Sequence, residues 1–339
     1  MVKICTSRYL NIRWDNAAVT FTINANGYSI SLDSREQGAD IDFISHAHTD
    51  HIGAARSSSS VLSSYETSYL IEKTYGIKVR RCKRALEGVK LLDAGHMLGS
   101  SQLSVTDYDS GNKTVYTGDY LLQRSRVANP ITIEEADTII IDSTYPDPKI
   151  EFEDREEVER SIQLWVKTKQ RYGTVLFGAY TLGKSQELVA ILNDAGIEPV
   201  MSKKLAAATD TYNELGMRLK YQSAYSESSG FPYAGKNTVG IVENNSLDKV
   251  AIMLNQLDGR RVYTAVATGF AAIFKFKTDV QFPLSDHADF RQCLDYIEQS
   301  NAKRVLTRGS GAKALAGSLS RKGHAAEVYG AQIEAEQRL

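Results

Sequence analysis

The stretch of sequence that decides the fold is His46–His51, which reads HAHTDH and follows the apolar run Ile41–Ser45. The run itself has the composition of a β-strand. Histidines two residues apart at the end of a strand point to the same side of it, and an aspartate and a third histidine follow directly. Imidazole and carboxylate groups are ligands of Zn²⁺ and Mn²⁺. The stretch therefore predicts a metal site. The alternative is a polar loop that is rich in histidine, but the chain has only six histidines, and three of them fall here within six positions.

Two later segments supply further candidate ligands. His96 lies in Asp93–Ser100, of sequence DAGHMLGS, between glycines that allow the backbone to approach closely. Asp119 comes just after the β-type run Thr114–Thr117. Taken alone, His96 is also typical of a hydrogen-bonded core histidine, and Gly-Asp of an ordinary turn. Strands that end in functional residues nevertheless indicate a sheet with its active site along one edge.

The order of apolar runs predicts an α/β protein in which one domain interrupts another. Short β-type runs dominate the first part of the chain, with a hairpin signal at Asn24–Gly27. From about residue 154 strands and helices alternate, which is typical of a parallel α/β unit. We therefore expect one domain of residues 1–153 and 281–339, and an inserted domain of residues 154–280. The elements predicted in the insert are helix Glu156–Thr168, strand Thr174–Phe177, helix Ser185–Ala195 and strand Ile197–Met201.

Composition narrows the class of protein further. The 339 residues are 42% hydrophobic and 24% charged, as in globular chains of about two domains. No apolar run approaches a membrane span of about 18 residues, and the N-terminal segment has no apolar signal core. Cys5, Cys82 and Cys293 are far apart, so we expect reduced thiols in a cytoplasmic protein. The net charge of −1 excludes a globally basic nucleic-acid coat protein but leaves room for a nuclease with a local basic stripe.

The metal motif and the two later segments together resemble the metallo-β-lactamase fold in its hydrolase form. That resemblance implies an αββα sandwich of class α/β and a site for one or two Zn²⁺ ions, with Mn²⁺ as an alternative in the second position. The ligands implied are His46, His48 and His96 for one zinc, Asp50 and His51 for the second metal, and Asp119 as the bridge, with Asp50 and Asp119 also serving catalysis. Zinc-bound water titrates near neutrality, so hydroxide is available at pH 7.

Two further motifs resemble the β-CASP branch of this fold, whose members cut DNA or RNA. Asp142 ends the apolar strand Thr138–Ile141, and His287 lies in Leu284–Phe290, of sequence LSDHADF. In the β-CASP branch an acid and a histidine in this order flank the metal site on either side of an inserted α/β domain. The resemblance implies that His287 is the general acid and that Asp142 orients it. Taken singly, a strand-end turn and a helix N-terminus explain these residues equally well.

Within the branch, Asp142–Tyr145 and Ala179–Lys184 look most like Artemis-type DNA nucleases and bacterial exonucleases associated with DNA ligase. RNA-cutting members usually carry a His-Gly after the last strand, where this chain has Arg308 and Gly309. Arginine does not ligate metals, so the second metal site lacks one ligand of that pattern. Because its fork suits phosphate, Arg308 is a candidate phosphate contact, and a surface arginine is the alternative.

A rival motif is present at Gly178–Ser185, which matches G-x-x-x-x-G-K-[ST] between a strand and a helix. An NTPase is therefore an alternative function, although no apolar strand ending in aspartate follows as a partner motif. An interpretation that combines this motif with a nuclease function assigns Gly183, Lys184 and Ser185 to the binding of a phosphate of the nucleic-acid substrate.

The sequence thus predicts a metal-dependent nuclease, and most specifically a DNA exonuclease. We expect cleavage from the 5′ end by attack of metal-bound hydroxide on phosphorus. DNA is expected to be preferred over RNA, with DNA-repair proteins as partners and no membrane association. The alternative within the branch is a ribonuclease that resembles mRNA-processing factors.

Overall fold

Three β-sheets and the helices that cover them make up the described part of the computed structural model, which comprises residues 22–34, 39–224, 238–259 and 261–329. The strands are β1 (Thr22–Ala25), β2 (Tyr28–Leu32), β3 (Ile41–Phe43), β4 (Val61–Leu62), β5 (Val89–Asp93), β6 (Ser101–Thr106), β7 (Lys113–Tyr116), β8 (Thr138–Asp142), β9 (Thr174–Ala179), β10 (Val200–Met201), β11 (Gln222–Ser223), β12 (Val239–Glu243), β13 (Val262–Ala267), β14 (Val280–Phe282), β15 (Arg304–Arg308) and β16 (Ala326–Val328). The helices are α1 (Tyr65–Tyr75), α2 (Arg155–Lys169), α3 (Lys184–Asp194), α4 (Lys203–Glu214), α5 (Leu247–Asp258), α6 (Phe290–Gln299) and α7 (Ala312–Arg321).

Two of the sheets pack face to face. The first has the order β1-β2-β3-β4, and the second the order β16-β15-β8-β7-β6-β5. Phe43 of the first sheet is buried with Leu103, Tyr116 and Ile140 of the second. Helices α6 and α7 cover the outer face of the second sheet, and α1 packs with Ile44 beside the first. The predicted αββα sandwich is confirmed.

The third sheet has the order β11-β10-β12-β9-β13-β14, and its strands are all parallel. Alternate side chains of β9 point to opposite faces: Phe177 packs on the side of α2, α3 and α4, and Leu176 on the side of α5. Burial on both faces explains why the strands read as continuous apolar runs. The predicted domain boundary at residue 280 falls at the start of β14, and the division into domains stays a prediction.

The elements lie close to where the sequence predicts them, with one informative difference. Helix α2 starts at Arg155 because the carboxylate of Asp154 accepts hydrogen bonds from two backbone N–H groups of the first turn. The predicted strand Ile197–Met201 is shorter in the structure and begins at Val200. The N–H of Ile197 donates to the carbonyl of Leu192, so the residues before Val200 finish the preceding helix instead of pairing with the sheet.

The predicted hairpin is confirmed: β1 and β2 pair antiparallel around Asn26 and Gly27, both of which have positive φ. The β-type run Val19–Ile23 leads into the predicted hairpin, and its residues 19–21, like Cys5, lie outside the described residues. Among the helices of the described ranges, none has the length and apolar character that crossing a bilayer requires.

Strand direction brings the candidate site together. Strands β7, β8 and β15 are parallel neighbours, so their carboxyl ends meet at one edge of the second sheet. Asp142 pairs directly with Arg308 at that edge, and Asp119 follows β7 by three residues. The motif His46–His51 comes just after β3 in the opposing sheet. The candidate site therefore lies where strand ends of both sheets meet.

Candidate metal centre and substrate cleft

Three imidazole nitrogens converge on one point, as the sequence predicts. Nδ1 of His48 lies 3.1 Å from Nε2 of His46 and 3.1 Å from Nε2 of His96. The carboxylate Oδ2 of Asp119 completes the group, at 3.5 Å from Nε2 of His46 and 3.8 Å from Nε2 of His96. All four donor atoms lie within 4.8 Å of one another.

The other nitrogen of each ring is held by a hydrogen bond. Nδ1 of His96 donates to the carbonyl of Asp286 at 2.8 Å. Nε2 of His48 donates to the carbonyl of Leu182 at 3.3 Å. Carbonyl oxygens only accept, so in both rings the proton is on the nitrogen that points away from the centre. The converging nitrogens therefore keep their lone pairs free.

A buried chain of hydrogen bonds holds the ring of His46 in place. Nδ1 of His46 lies 2.9 Å from Oγ of Ser45, which in turn lies 2.7 Å from the carboxylate of Asp33. Since the serine hydroxyl gives its single proton to the carboxylate, it accepts from the imidazole. Hydrogen bonds of this kind from outside the ligand set orient histidines for metal binding.

The donor set fits a tetrahedral zinc ion. Four ligands at about 2.0–2.1 Å from a common centre are about 3.3 Å from one another, and the two histidine separations of 3.1 Å and the shorter carboxylate separation of 3.5 Å are close to that value. Metal binding requires neutral imidazoles. Burial lowers the pKa of His46, His48 and His96, the last to about 3, so the three rings are neutral at physiological pH.

The predicted residues for a second metal lie beside this group. Nε2 of His51 is 3.4 Å from Asp119 and 3.7 Å from Asp50, and Nδ1 of His51 donates to Asp33 at 2.8 Å. Burial opposes protonation of His51, but the carboxylates of Asp119 and Asp33 raise its pKa well above the usual value. The side chain of Asp50 is 79% exposed, so its carboxylate lies on the solvent side of His51.

A second group of converging donors comprises Asp119, Asp142 and His287. Nδ1 of His287 lies 3.1 Å from Oδ2 of Asp142, and its Nε2 lies 4.0 Å from Asp119. Burial alone lowers the pKa of His287, but the carboxylates of Asp119 and Asp142 outweigh it and raise the pKa to about 9. The raised pKa favours the protonated form of His287 at the edge of the metal group. Asp142 and His287 meet as the sequence predicts, and their chemical roles stay predictions.

Lys184 and Ser185 are both buried, and Lys184 contributes to the lining of the cleft described below. Nζ of Lys184 is buried, 2.6 Å from Asp286 and 2.7 Å from the carbonyl of Leu284. The hydroxyl of Ser185 donates to the carbonyl of Thr181, and its side chain is fully buried. These partners give both residues structural contacts, and their contact with a substrate phosphate stays a prediction.

Gly183 lies close to the candidate metal ligand His48. A Cβ at this position, where φ is +80°, would be 3.7 Å from Nε2 of His48. Its N–H donates to the hydroxyl of Tyr212, and the N–H of Lys184 donates to the carbonyl of Leu182. In the loop of the G-x-x-x-x-G-K-[ST] motif these N–H groups therefore form hydrogen bonds within the protein instead of pointing to a bound phosphate. This arrangement disfavours the NTPase alternative.

Arg308 lies in the cleft and not on the outer surface. Its guanidinium sits over the ring of Tyr116 at 5.1 Å, and it is half-buried. The positive charge helps to lower the pKa of Asp33. Contact between Arg308 and a substrate phosphate stays a prediction.

The centre opens into a cleft of about 650 Å³. One part of the wall carries the histidines and carboxylates already described. Basic residues Lys204 and Arg308 and the aromatic residues Tyr145, Tyr180 and Phe270 form other parts. A cleft with acidic ligands at one end, and basic and aromatic side chains around them, suits an anionic substrate with planar groups.

Asp33, which is not among the residues predicted from the sequence, holds several groups of the centre by hydrogen bonds. Its carboxylate accepts hydrogen bonds from Ser45, from His51 and from the hydroxyl of Tyr116 at 2.6 Å. The signal that marks Asp142, a polar residue at the end of an apolar strand, is also present at Asp33 after β2. The aromatic residues of the cleft carry no such signal, because only the fold brings Tyr145 and Phe270 together.

Comparison with known proteins finds relatives whose names are those of nucleic-acid enzymes. It is 30% identical to a probable DNA ligase of Opitutus terrae, over 87% of this chain and 29% of that protein. It is 28% identical to an RNase J-like protein of Methanocaldococcus jannaschii, over 47% of this chain and 44% of that protein. The chain thus spans less than half the length of either relative. No family model matches it.

A solved structure supports the fold. A protein of unknown function from Enterococcus faecalis superimposes with a TM-score of 0.52 at 14% identity, over 81% of this chain and 76% of that one. The relatives found in the sequence comparison carry the family relationship. With its αββα sandwich, its third, parallel sheet and its HxHxDH motif, the chain belongs to the β-CASP branch of the metallo-β-lactamase fold family.

Proposed function

We propose that the protein is a metal-dependent nuclease that hydrolyses phosphodiester bonds in this cleft. The observation that carries the proposal is the convergence of three neutral imidazoles and Asp119 next to the pair His287–Asp142. The names of the relatives, which include a DNA ligase and several RNases, support a nucleic acid as the substrate.

His46, His48, His96 and Asp119 would hold a zinc ion, and Asp50 and His51 lie where a second metal, Zn²⁺ or Mn²⁺, would meet Asp119. Zinc bound in such a site supplies a nucleophile at neutral pH, because it lowers the pKa of water, and it polarises a phosphoryl oxygen.

The protein's own side chains carry out the other parts of the reaction, which are protonation of the leaving oxygen and binding of the substrate backbone. His287 carries the proton that the leaving oxygen needs, at Nε2 on the cleft side, and Asp142 holds the ring through Nδ1. Arg308 and Lys204 place positive charge along the wall of the cleft, where it offsets the charge of the substrate backbone.

For the finer specificity we propose a DNA exonuclease that acts from the 5′ end. Arg308 stands where RNA-cutting members of the branch usually have a histidine, which supports DNA, and so does the relative named as a probable DNA ligase. Action in DNA repair in the cytoplasm is part of the same proposal. The alternative is a ribonuclease, which the relatives named as RNases support.

The test uses 5′-phosphorylated single strands of DNA and RNA of one sequence, labelled at either end, with added Zn²⁺ or Mn²⁺. We expect DNA to be degraded faster than RNA, with a product ladder that starts at the 5′ end. Faster cleavage of RNA would establish the ribonuclease alternative. Cleavage of neither strand, or cleavage that survives both EDTA and Asp119→Ala, would contradict the nuclease proposal.

A further inference from the structure

An unbroken series of aromatic rings leads from the candidate centre to the surface. The ring of Tyr145 lies 6.0 Å from that of His287 and 5.6 Å from that of Phe270. The ring of Phe274 follows, 6.0 Å from that of Phe270. Exposure rises along the series, from 4% for Tyr145 to 37% for Phe270 and 58% for Phe274. We call Tyr145, Phe270 and Phe274 the aromatic platform.

The backbone around the platform is held in place by specific contacts. The hydroxyl of Thr268 accepts from the N–H of Phe270 and starts the 3₁₀ turn Gly269–Ala272. Gly269 has no side chain where a Cβ would lie 2.4 Å from the hydroxyl oxygen of Tyr145, so the turn can rest directly against that ring. The exposed rings are therefore displayed at a defined position beside the cleft.

A second anchor comes from strand β14. The side-chain amide of Gln281 donates to the carbonyls of Ala271 and Phe274, at 2.7 and 2.9 Å. Because Gln281 belongs to β14 of the third sheet, its amide ties the outer end of the platform to that sheet.

The platform has basic neighbours. Ile273 is 43% exposed next to Phe274, and Lys275 and Lys277 are exposed on the same segment. Lys204 is exposed at the wall of the cleft. Exposed rings combined with cationic side chains are the arrangement by which proteins hold single-stranded nucleic acid, since every base has a face that stacks and every phosphate is negative. Continuity with the cleft favours this occupant over a protein partner.

We propose that the aromatic platform binds unpaired bases of a single-stranded nucleic acid and leads the strand to the metal centre. This inference rests on the proposed nuclease function and names the form of its substrate: a strand whose bases are unpaired where it enters the cleft. Stacking is tolerant of sequence, so the platform selects single strands over duplexes and does not read the order of bases.

The experiment measures binding by the metal-free protein, so that cleavage does not interfere. Fluorescence anisotropy compares a labelled single strand of about ten nucleotides, a length within the range of single-strand grooves, with a strand of equal length that lacks the bases. We expect the wild type to bind the intact strand roughly fivefold to a hundredfold more tightly than the abasic strand, the range that stacking of one base is worth.

Variants then locate the effect. Phe274→Ala is expected to weaken binding of the intact strand by a similar factor and to change binding of the abasic strand little, whereas Phe274→Trp retains the preference. Phe274 is 58% exposed, so its truncation leaves the core intact. The control is Tyr172→Ala, which removes a ring that is 71% exposed at the end of α2, and we expect no change.

Equal binding of intact and abasic strands by the wild type would overturn the inference, as would an unchanged preference in Phe274→Ala. So would an effect of Phe274→Ala on self-association alone, measured by light scattering. The nuclease proposal is judged separately, by cleavage with metal. Tighter binding of the intact strand than of the abasic strand, without any cleavage, supports the platform and contradicts the proposed nuclease function. Cleavage with equal binding of the two strands supports the nuclease function and contradicts the platform.

Discussion

Nδ1 of His96 donates a hydrogen bond to the backbone carbonyl of Asp286 at 2.8 Å, across 190 residues of sequence. The side chain of the same aspartate accepts from Lys184 at 2.6 Å. One residue therefore contacts both a candidate metal ligand and Lys184, the first residue of α3, which packs on the third sheet.

The hydrogen bonds behind the ligands are expected to matter for metal affinity. Ser45→Ala removes the acceptor for Nδ1 of His46, and loss of such a partner typically costs 10- to 100-fold in affinity. Competition with a chelator measures the zinc dissociation constant. Ser104→Ala is the matched control, because its hydroxyl donates to Glu134 instead, and an equal loss in both variants would contradict the assigned role.

Asp119 is expected to be essential for cleavage. Asp119→Ala removes the carboxylate that lies near His46, His51 and His96, and we expect the rate to fall by at least about 10²- to 10³-fold, as when one electrostatic stabiliser of a transition state is lost. Circular dichroism should show a folded protein, because the side chain lies at the wall of the cleft. Retained cleavage would disprove the assignment.

If His287 is the general acid, the loss of rate on replacing it should depend on whether the leaving group of the substrate needs a proton. His287→Gln is expected to slow cleavage of a nucleic-acid strand by about 10²- to 10⁴-fold, the usual contribution of a general acid. An activated diester releases p-nitrophenolate, a leaving group that departs as a stable anion and needs no proton. The variant should therefore hydrolyse such a diester at nearly the wild-type rate. A similar loss on both substrates would instead indicate a role in binding the substrate or the metal.

Lys184 is expected to act on stability. Lys184→Met leaves the carboxylate of Asp286 without its nearest cation, although Arg155 stays 3.5 Å away. We expect the free energy of unfolding to fall by about 3 kcal/mol, at the lower end of the range for a broken buried pair. Urea denaturation measures the loss, and Lys167→Met, an exposed site on α2, is the control. A stable variant with a raised KM would support the original prediction of a phosphate contact.

Part of the ligand set is a local property of the sequence. His46 and His48 share a side because they lie two residues apart beyond a strand. Asp142 is identifiable because it ends an apolar run and starts a polar loop, and the helices and strands follow from periodicity and from caps such as Asp154. The order of these motifs along the chain was sufficient to indicate the fold family.

The tertiary structure alone decided how those residues are used. Which nitrogen of His48 faces the centre depends on the carbonyl of Leu182, 134 residues away, and no local pattern encodes such a partner. Lys184 fits a phosphate motif letter for letter, yet its Nζ donates to Asp286, a partner that only the fold places within reach. The aromatic platform likewise exists only because a glycine lets a distant turn pack on Tyr145. Spacing along the chain fixes which side chains share a face, whereas partners and orientation depend on contacts that form only when distant segments meet.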